Sequence, residues 1–140
     1  MKNKLYLLLL LLLSSFVFAQ LSDKQIQQKL VTVDSFLKGN VMVDSASLYL
    51  YQIEKTANWS SESSLESEFL YRKIRLLMLR GNYQEVVPLA KKAIVFYERQ
   101  DQKAKVASCK KFLGHSYFQI NQKKLALRYL NEAEADIDES

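Results

Sequence analysis

Residues 110–133 read KKFLGHSYFQINQKKLALRYLNEA, and this stretch decides the expected fold. It holds the only His of the chain, one of its three Gly and five of its twenty Lys and Arg. Apolar residues recur at helical spacing on both sides of an Ile-Asn-Gln turn, which predicts two helices and a tight connection. The stretch therefore indicates a helical hairpin, and it raises the question of whether His115 marks a site within it.

The rest of the chain shows similar signals for where helices begin and end. Its 140 residues include one Pro and three Gly, few breakers for this length, and the composition favours long helices over a sheet. Capping boxes are expected at Ser22–Gln25 and Ser63–Glu66, and Pro88 near a first turn, where a missing N–H costs least. The predicted helices cover about 23–38, 43–57, 64–80, 83–100, 102–120 and 122–138. Six helices with short turns make three antiparallel pairs.

A repeat with a period of 40 residues relates the three pairs. Aligned columns are Leu37, Leu77 and Tyr117; Ala46, Val86 and Ala126; Tyr49, Leu89 and Tyr129; Leu50, Ala90 and Leu130; and Ile53, Ala93 and Ala133. The turns align too, with Val41, Gly81 and Asn121 at one level. Self-similarity at a fixed period in paired helices is typical of a helical solenoid. The units are expected at about 27–60, 67–100 and 107–140.

The third unit carries a family resemblance. Leu113-Gly114-x-x-Tyr117, followed by Ala126, Leu130 and Ala133, resembles the tetratricopeptide repeat (TPR). Gly81-Asn82-Tyr83, followed by Ala90 and Ala93, is similar to the turn and second helix of that repeat. The resemblance covers residues 20–140 and implies an all-α solenoid of about three antiparallel helix pairs. It assigns repeat packing to Gly81, Tyr83, Ala93, Leu113, Gly114, Tyr117, Ala126, Leu130 and Ala133.

The resemblance also implies a function, the binding of a protein or peptide in a concave groove lined by the first helix of each pair. The expected groove residues are Tyr71, Arg72, Arg75 and Met78 on the third helix and Lys111, His115, Phe118 and Gln119 on the fifth. Arg75 and Lys111 would pair with carboxylates of an extended peptide, while Tyr71 and Phe118 supply apolar area.

Catalysis is not expected. His115 has no acid three or four residues away to orient it, and one His with one Cys cannot close a zinc site. Alternating acids over 132–139 lack the glycine and distal Glu of a calcium loop. We therefore expect no enzyme activity, cofactor or metal, and we expect Cys109 to be a buried thiol.

The N-terminus predicts export. Residues 1–19 combine Lys2 and Lys4, an apolar run and small residues before a cleavage point after Ala19, as in a secretory signal peptide. The run is shorter than the roughly 20 apolar residues of a spanning helix, so no stable membrane insertion is expected after cleavage. The product would be periplasmic or secreted. Asn58-Trp59-Ser60 fits a glycosylation sequon, a weak match whose use is left open.

Charge and the C-terminal unit bear on partners. Residues 70–128 hold fourteen Lys and Arg against three acids, a local charge of +11, which fits either a solvated face or a surface for an acidic protein. Nucleic acid is not expected as a partner of an exported chain.

The last unit has no capping helix, so Leu127, Leu130 and Ile137 would be partly exposed and could mediate self-association. An alternative function is the extracytoplasmic input region of a bacterial sensor kinase or helix-turn-helix regulator.

Overall fold

The computed structural model describes residues 20–59 and 63–138, and this part of the chain is all-α, as expected, with no strand. The predicted signal peptide and Ser60 of the sequon lie outside the described residues. A short 3-10 segment, Lys38–Asn40, follows the first helix. The six α-helices are α1 (Asp23–Leu37), α2 (Val43–Thr56), α3 (Ser64–Arg80), α4 (Tyr83–Arg99), α5 (Lys103–Gln119) and α6 (Lys123–Asp138).

Local signals explain where α1 and α3 begin, with one difference from expectation. At α1 the capping box is formed, since Ser22 Oγ accepts from the Gln25 N–H (3.4 Å) and Gln25 Oε1 accepts from the Ser22 N–H (2.9 Å). Ser63 occupies the N-cap of α3, but its side chain makes no capping hydrogen bond. Glu66 pairs with Lys92 Nζ on α4 (2.6 Å). The predicted second capping box is therefore wrong, because a cation on the next helix takes the carboxylate.

Pro88 also departs from expectation, since it lies beyond the first turn of α4, which begins at Tyr83. A residue with an N–H at this position would bond to the carbonyl of Gln84, and Pro88 cannot. The helix nevertheless continues to Arg99.

The turns of the second and third helix pairs share one backbone geometry, but the first turn does not fit the expected alignment: its left-handed residue is Gly39 (φ +76°), and Val41 is right-handed (φ −85°). Gly81 has φ +73° and Asn121 has φ +63°, the left-handed conformation that glycine and asparagine tolerate best after a helix. In each turn the next residue donates back to the helix, Asn82 to the Leu77 carbonyl (2.9 Å) and Gln122 to the Tyr117 carbonyl (2.7 Å). Donors and acceptors of these two turns are both 40 residues apart, so the period has a backbone counterpart in the second and third units. The connection between α4 and α5 has the same geometry, with Asp101 at φ +53° and the Gln102 N–H donating to the Tyr97 carbonyl (2.9 Å).

The helices pack mainly against neighbours in chain order. The pairs are α1 with α2, α3 with α4 and α5 with α6, and successive pairs meet through α2–α3 and α4–α5. The first helices of successive pairs also touch, α1 with α3 and α3 with α5. This arrangement is consistent with a helical repeat, and the curvature of a solenoid stays a prediction.

The residues assigned to repeat packing occupy different environments. Leu113, Gly114 and Tyr117 on α5 are buried, and so are Ala93, Ala126 and Ala133 on the second helices. Tyr83 is half-buried, Gly81 is exposed at its turn, and Leu130 is 39 % exposed although it packs over Gly114.

The single cysteine is buried, as expected. Cys109 has no exposed surface, and burial raises the pKa of its thiol to about 12. Tyr97 on α4 is also fully buried, and its hydroxyl donates to the Ser67 carbonyl on α3 (2.9 Å). Both groups are held neutral inside the core.

Candidate peptide-binding face

Arg72, one of the expected groove residues on α3, is an internal link between helices. Its Nη2 lies 2.6 Å from Asp34 Oδ2 on α1, and its Nη1 lies 2.5 Å from Glu68 Oε2 one turn back on α3. Only 13 % of its side chain is exposed. Burial acts to lower the pKa of Arg72, but the hydrogen bonds that Arg72 donates to the carboxylates of Glu68 and Asp34 outweigh it and raise the pKa overall. Arg72 therefore ties α1 to α3.

Arg75 already has a carboxylate partner as well. Its Nη1 lies 3.0 Å from Asp34 Oδ1, so Asp34 bridges both arginines of α3. A ligand carboxylate would have to compete with Asp34 for Arg75. The sequence analysis did not identify Asp34 as this partner. The 40-residue period contains a signal for it, since Asp34 aligns with Ile74, which lies between Arg72 and Arg75.

The other two predicted α3 residues pack against α5. The Tyr71 ring lies 5.8 Å from the Phe112 ring, and Lys105 Nζ sits 3.9 Å from the Tyr71 ring centroid. Met78 Sδ accepts a hydrogen bond from Ser116 Oγ (3.4 Å). Both side chains are half-buried, so they position α5 on α3 and offer only part of their surface to a ligand.

The four predicted residues on α5 differ from those on α3, because all are exposed. His115 follows Lys111 by four residues, and Phe118 and Gln119 follow His115 by three and four. The four residues therefore share one side of the helix, which we call the α5 face. Phe118 is 58 % exposed. Among residues 20–59 and 63–138, no carboxylate lies within ion-pair distance of Lys111.

The contacts of His115 are with neutral groups. Gln119 Nε2 lies 3.3 Å from His115 Nε2, and the Tyr83 ring centroid lies 5.7 Å from that of His115. Tyr83 also borders a shallow depression of about 370 Å³ that is lined by residues 81–85 and Ile120. The α5 face thus adjoins a depression at the α3–α4 turn. The sequence analysis did not connect these turn residues with the α5 face.

Acidic side chains from outside residues 70–128 offset much of the positive charge of this segment. Of its fourteen Lys and Arg, eight form ion pairs, and every acidic partner comes from outside residues 70–128. The six with no ion-pair partner in the part that the structure describes are Lys91, Arg99, Lys103, Lys111, Lys123 and Lys124. Counting charges over residues 70–128 missed these acids because Glu68 and Glu132 lie just outside that range and the others come from other helices.

In the described residues, no group of three or more His, Cys, Asp and Glu is arranged to hold a metal ion. No described helix is long and apolar enough to cross a membrane.

Comparison with known proteins gives no relative: no family model, no curated protein and no solved structure matches the chain. The likeness to TPR therefore rests on the motifs and the period of the chain itself.

Proposed function

We propose that the chain is a TPR-like helical scaffold that binds a protein or peptide through the α5 face. The observation that carries this proposal is the combination of Phe118, a 58 % exposed aromatic ring, with Lys111, which has no acidic partner among the described residues. Exposed aromatic residues are the commonest anchors of protein interfaces when a partner covers them.

The chemistry of the face defines the partner. Phe118 offers apolar area to an aliphatic or aromatic side chain, and Lys111, two turns earlier on α5, offers a cation to a carboxylate. His115 and Gln119 lie between them and supply hydrogen-bonding groups. The preferred ligand is therefore an acidic segment with an apolar side chain about two helical turns from its carboxylate.

The internally paired residues of α3 act as support in this proposal. Arg72 and Arg75 fix α1 on α3 through Asp34, and Tyr71 and Met78 fix α3 on α5. A face whose supporting helices are already locked loses little conformational entropy when a ligand binds. This is a narrower groove than the eight residues expected from the sequence.

The test compares affinity capture by the wild-type protein with capture by two variants. Phe118→Ala removes the anchor and is expected to weaken binding at least tenfold, and Lys111→Glu places a like charge against an acidic partner. Val31→Ala and Lys24→Glu, at exposed positions on α1, are the matched controls and should bind as the wild type does. A partner that is retained equally by all four variants would contradict the proposal.

We also propose that the protein works outside the cytoplasm, because residues 1–19 have the pattern of a secretory signal peptide. N-terminal sequencing of the protein from producing cells tests this. A product that begins at Gln20 in the exported fraction is expected, and a cytoplasmic product that begins at Met1 would contradict it.

A further inference from the structure

The outer face of α6 carries exposed leucines between charges of opposite sign. This face, which we call the α6 outer face, consists of Lys124, Leu127, Leu130, Asn131 and Glu134, spaced at helical intervals and all exposed. Leu127 is 62 % exposed and Leu130 is 39 % exposed. An apolar stripe on a surface helix is typical of an interaction site.

The repeat gives an internal comparison for this face. Forty residues before Leu127 and Glu134 lie Val87 and Ile94 on α4, and these are packed against the core and buried, respectively. The difference arises because α4 is packed between α3 and α5, whereas α6 packs chiefly against α5. With Ala90, the buried counterpart of Leu130, three of the five positions of the α6 outer face are covered in the preceding unit, whereas Gln84 and Lys91, the counterparts of Lys124 and Asn131, are exposed there.

The charges on α6 run against its own helix dipole. Lys123 and Lys124 open the helix, Glu134 lies in its second half, and α6 has no acidic residue in its first turn and no basic residue in its last. Positive charge at the N-terminal end of a helix is unfavourable, and so is negative charge towards its C-terminal end. None of the three residues has an ion-pair partner within the described ranges. A second helix running the opposite way would place complementary charges opposite both ends.

We propose that two copies of the chain associate through their α6 outer faces, with the helices antiparallel around a twofold axis near Tyr129. At this register Lys124 of each copy lies level with Glu134 of the other, because the two residues are equally far from Tyr129. Leu127 of each copy lies beside Leu130 of the other, so four leucines meet at the centre. The contact uses the same patch on both copies and closes at a dimer.

The size of the patch sets the strength of the dimer. A helix of 16 residues is about 24 Å long, and one face of it covers less than the roughly 800 Å² per partner of a standard interface. The dissociation constant is therefore expected on the order of 100 µM. The α5 face is not part of this contact, so the dimer leaves the proposed ligand surface available.

The test is light scattering and sedimentation equilibrium on protein purified from cells that express residues 1–140, at concentrations on both sides of that dissociation constant. The wild type is expected to show a monomer–dimer equilibrium. Lys124→Glu and Glu134→Lys each replace two attractive pairs by two repulsive ones, and each should weaken the dimer about tenfold. An equimolar mixture of the two variants should recover it as a heterodimer, because every facing pair is again of opposite charge.

Controls separate this contact from other modes of association. Leu127→Glu should abolish the dimer, whereas Val31→Glu, at a similarly exposed apolar position on α1, should leave it unchanged. Circular dichroism at 222 nm verifies that each variant is folded. A wild type that stays monomeric throughout the series overturns the proposal. So does a mixture that stays as weak as its components, or a Val31→Glu variant that loses association.

Discussion

Gly114 allows α5 and α6 to approach closely, and replacing it by Ala tests how the third helix pair is packed. A Cβ at position 114 would lie 2.6 Å from Leu130 Cγ, 2.8 Å from Leu130 Cδ2 and 3.2 Å from the Ala126 carbonyl oxygen. Carbon contacts are most favourable near 3.5–4.0 Å, so Leu130 must move and the helices must separate slightly.

The magnitude follows from two opposing effects. Overpacking of this kind costs about 1–3 kcal/mol, while replacing a glycine inside a helix by alanine contributes about 1 kcal/mol of stability. Because Leu130 is 39 % exposed, its side chain can swing outward, which places the overpacking cost in the lower part of that range. An overpacking cost of about 1–2 kcal/mol, offset by about 1 kcal/mol of helix propensity, leaves a net loss of at most about 1 kcal/mol in the free energy of unfolding of Gly114→Ala.

A double-mutant cycle isolates the contact. In a Leu130→Ala background the two shortest contacts are absent, so Gly114→Ala should be neutral or stabilising there. Urea denaturation followed at 222 nm should give a coupling of about 1–2 kcal/mol, and the helix-propensity effect cancels because it is common to both backgrounds. Additivity within about 0.5 kcal/mol would refute the proposed packing, as would a Gly114→Ala protein more stable than the wild type.

Three other predictions concern the buried polar and ionisable groups. Arg72→Met should lower the free energy of unfolding by about 1–3 kcal/mol, because it removes the largely buried cation that joins Asp34 and Glu68 and leaves these carboxylates only with Arg75 and Lys105. Lys73→Met breaks a more exposed ion pair and should cost less than about 1 kcal/mol. Equal losses of the two variants in urea denaturation would contradict this. Tyr97→Phe should cost about 1 kcal/mol in the same assay, because it removes the hydrogen bond to the Ser67 carbonyl, and an unchanged midpoint would count against it. Burial raises the pKa of the Cys109 thiol to about 12 in the folded protein, whereas a thiol in an unfolded chain has a pKa of about 8.5. The contribution of the neutral thiol to stability is therefore complete below about pH 8.5. Above it, the free energy of unfolding falls by up to about 1.4 kcal/mol per pH unit until the pH approaches 12. Between about pH 8 and 11, the free energy of unfolding should therefore fall less steeply with pH for Cys109→Ala than for the wild type. Identical slopes for the two proteins would show that the thiol is not held neutral.

Helix positions were predictable because their signals are local. The six helices end within about two residues of the expected positions, since glycines, cap residues and apolar stripes act within one or two turns. Gly81 and Asn121 adopt the left-handed turn conformation at the level that the period indicates. The all-α class follows from the same short-range signals.

The surface was less predictable, because it depends on contacts between distant residues. Asp34 reaches Arg72 and Arg75 from 38 and 41 residues away, and it already pairs with these two cations that were expected to bind a ligand. Glu66 looked like a capping residue in its local sequence, yet it pairs with Lys92 26 residues later. A charge count within one segment cannot include such partners. Lys111 and Phe118 were predicted to share a face from their spacing on one helix, and both are exposed in the structure.

The most direct test of the proposed binding function is photo-crosslinking from the α5 face in living cells. A photoreactive phenylalanine analogue replaces Phe118 in one strain and the exposed Val31 on α1 in another. We predict a discrete heterologous crosslink at position 118 that is absent at position 31 and is lost when Lys111→Glu is added. Matching products at both positions, or a product at 118 that Lys111→Glu leaves unchanged, would contradict the proposal that this face recognises an acidic protein or peptide.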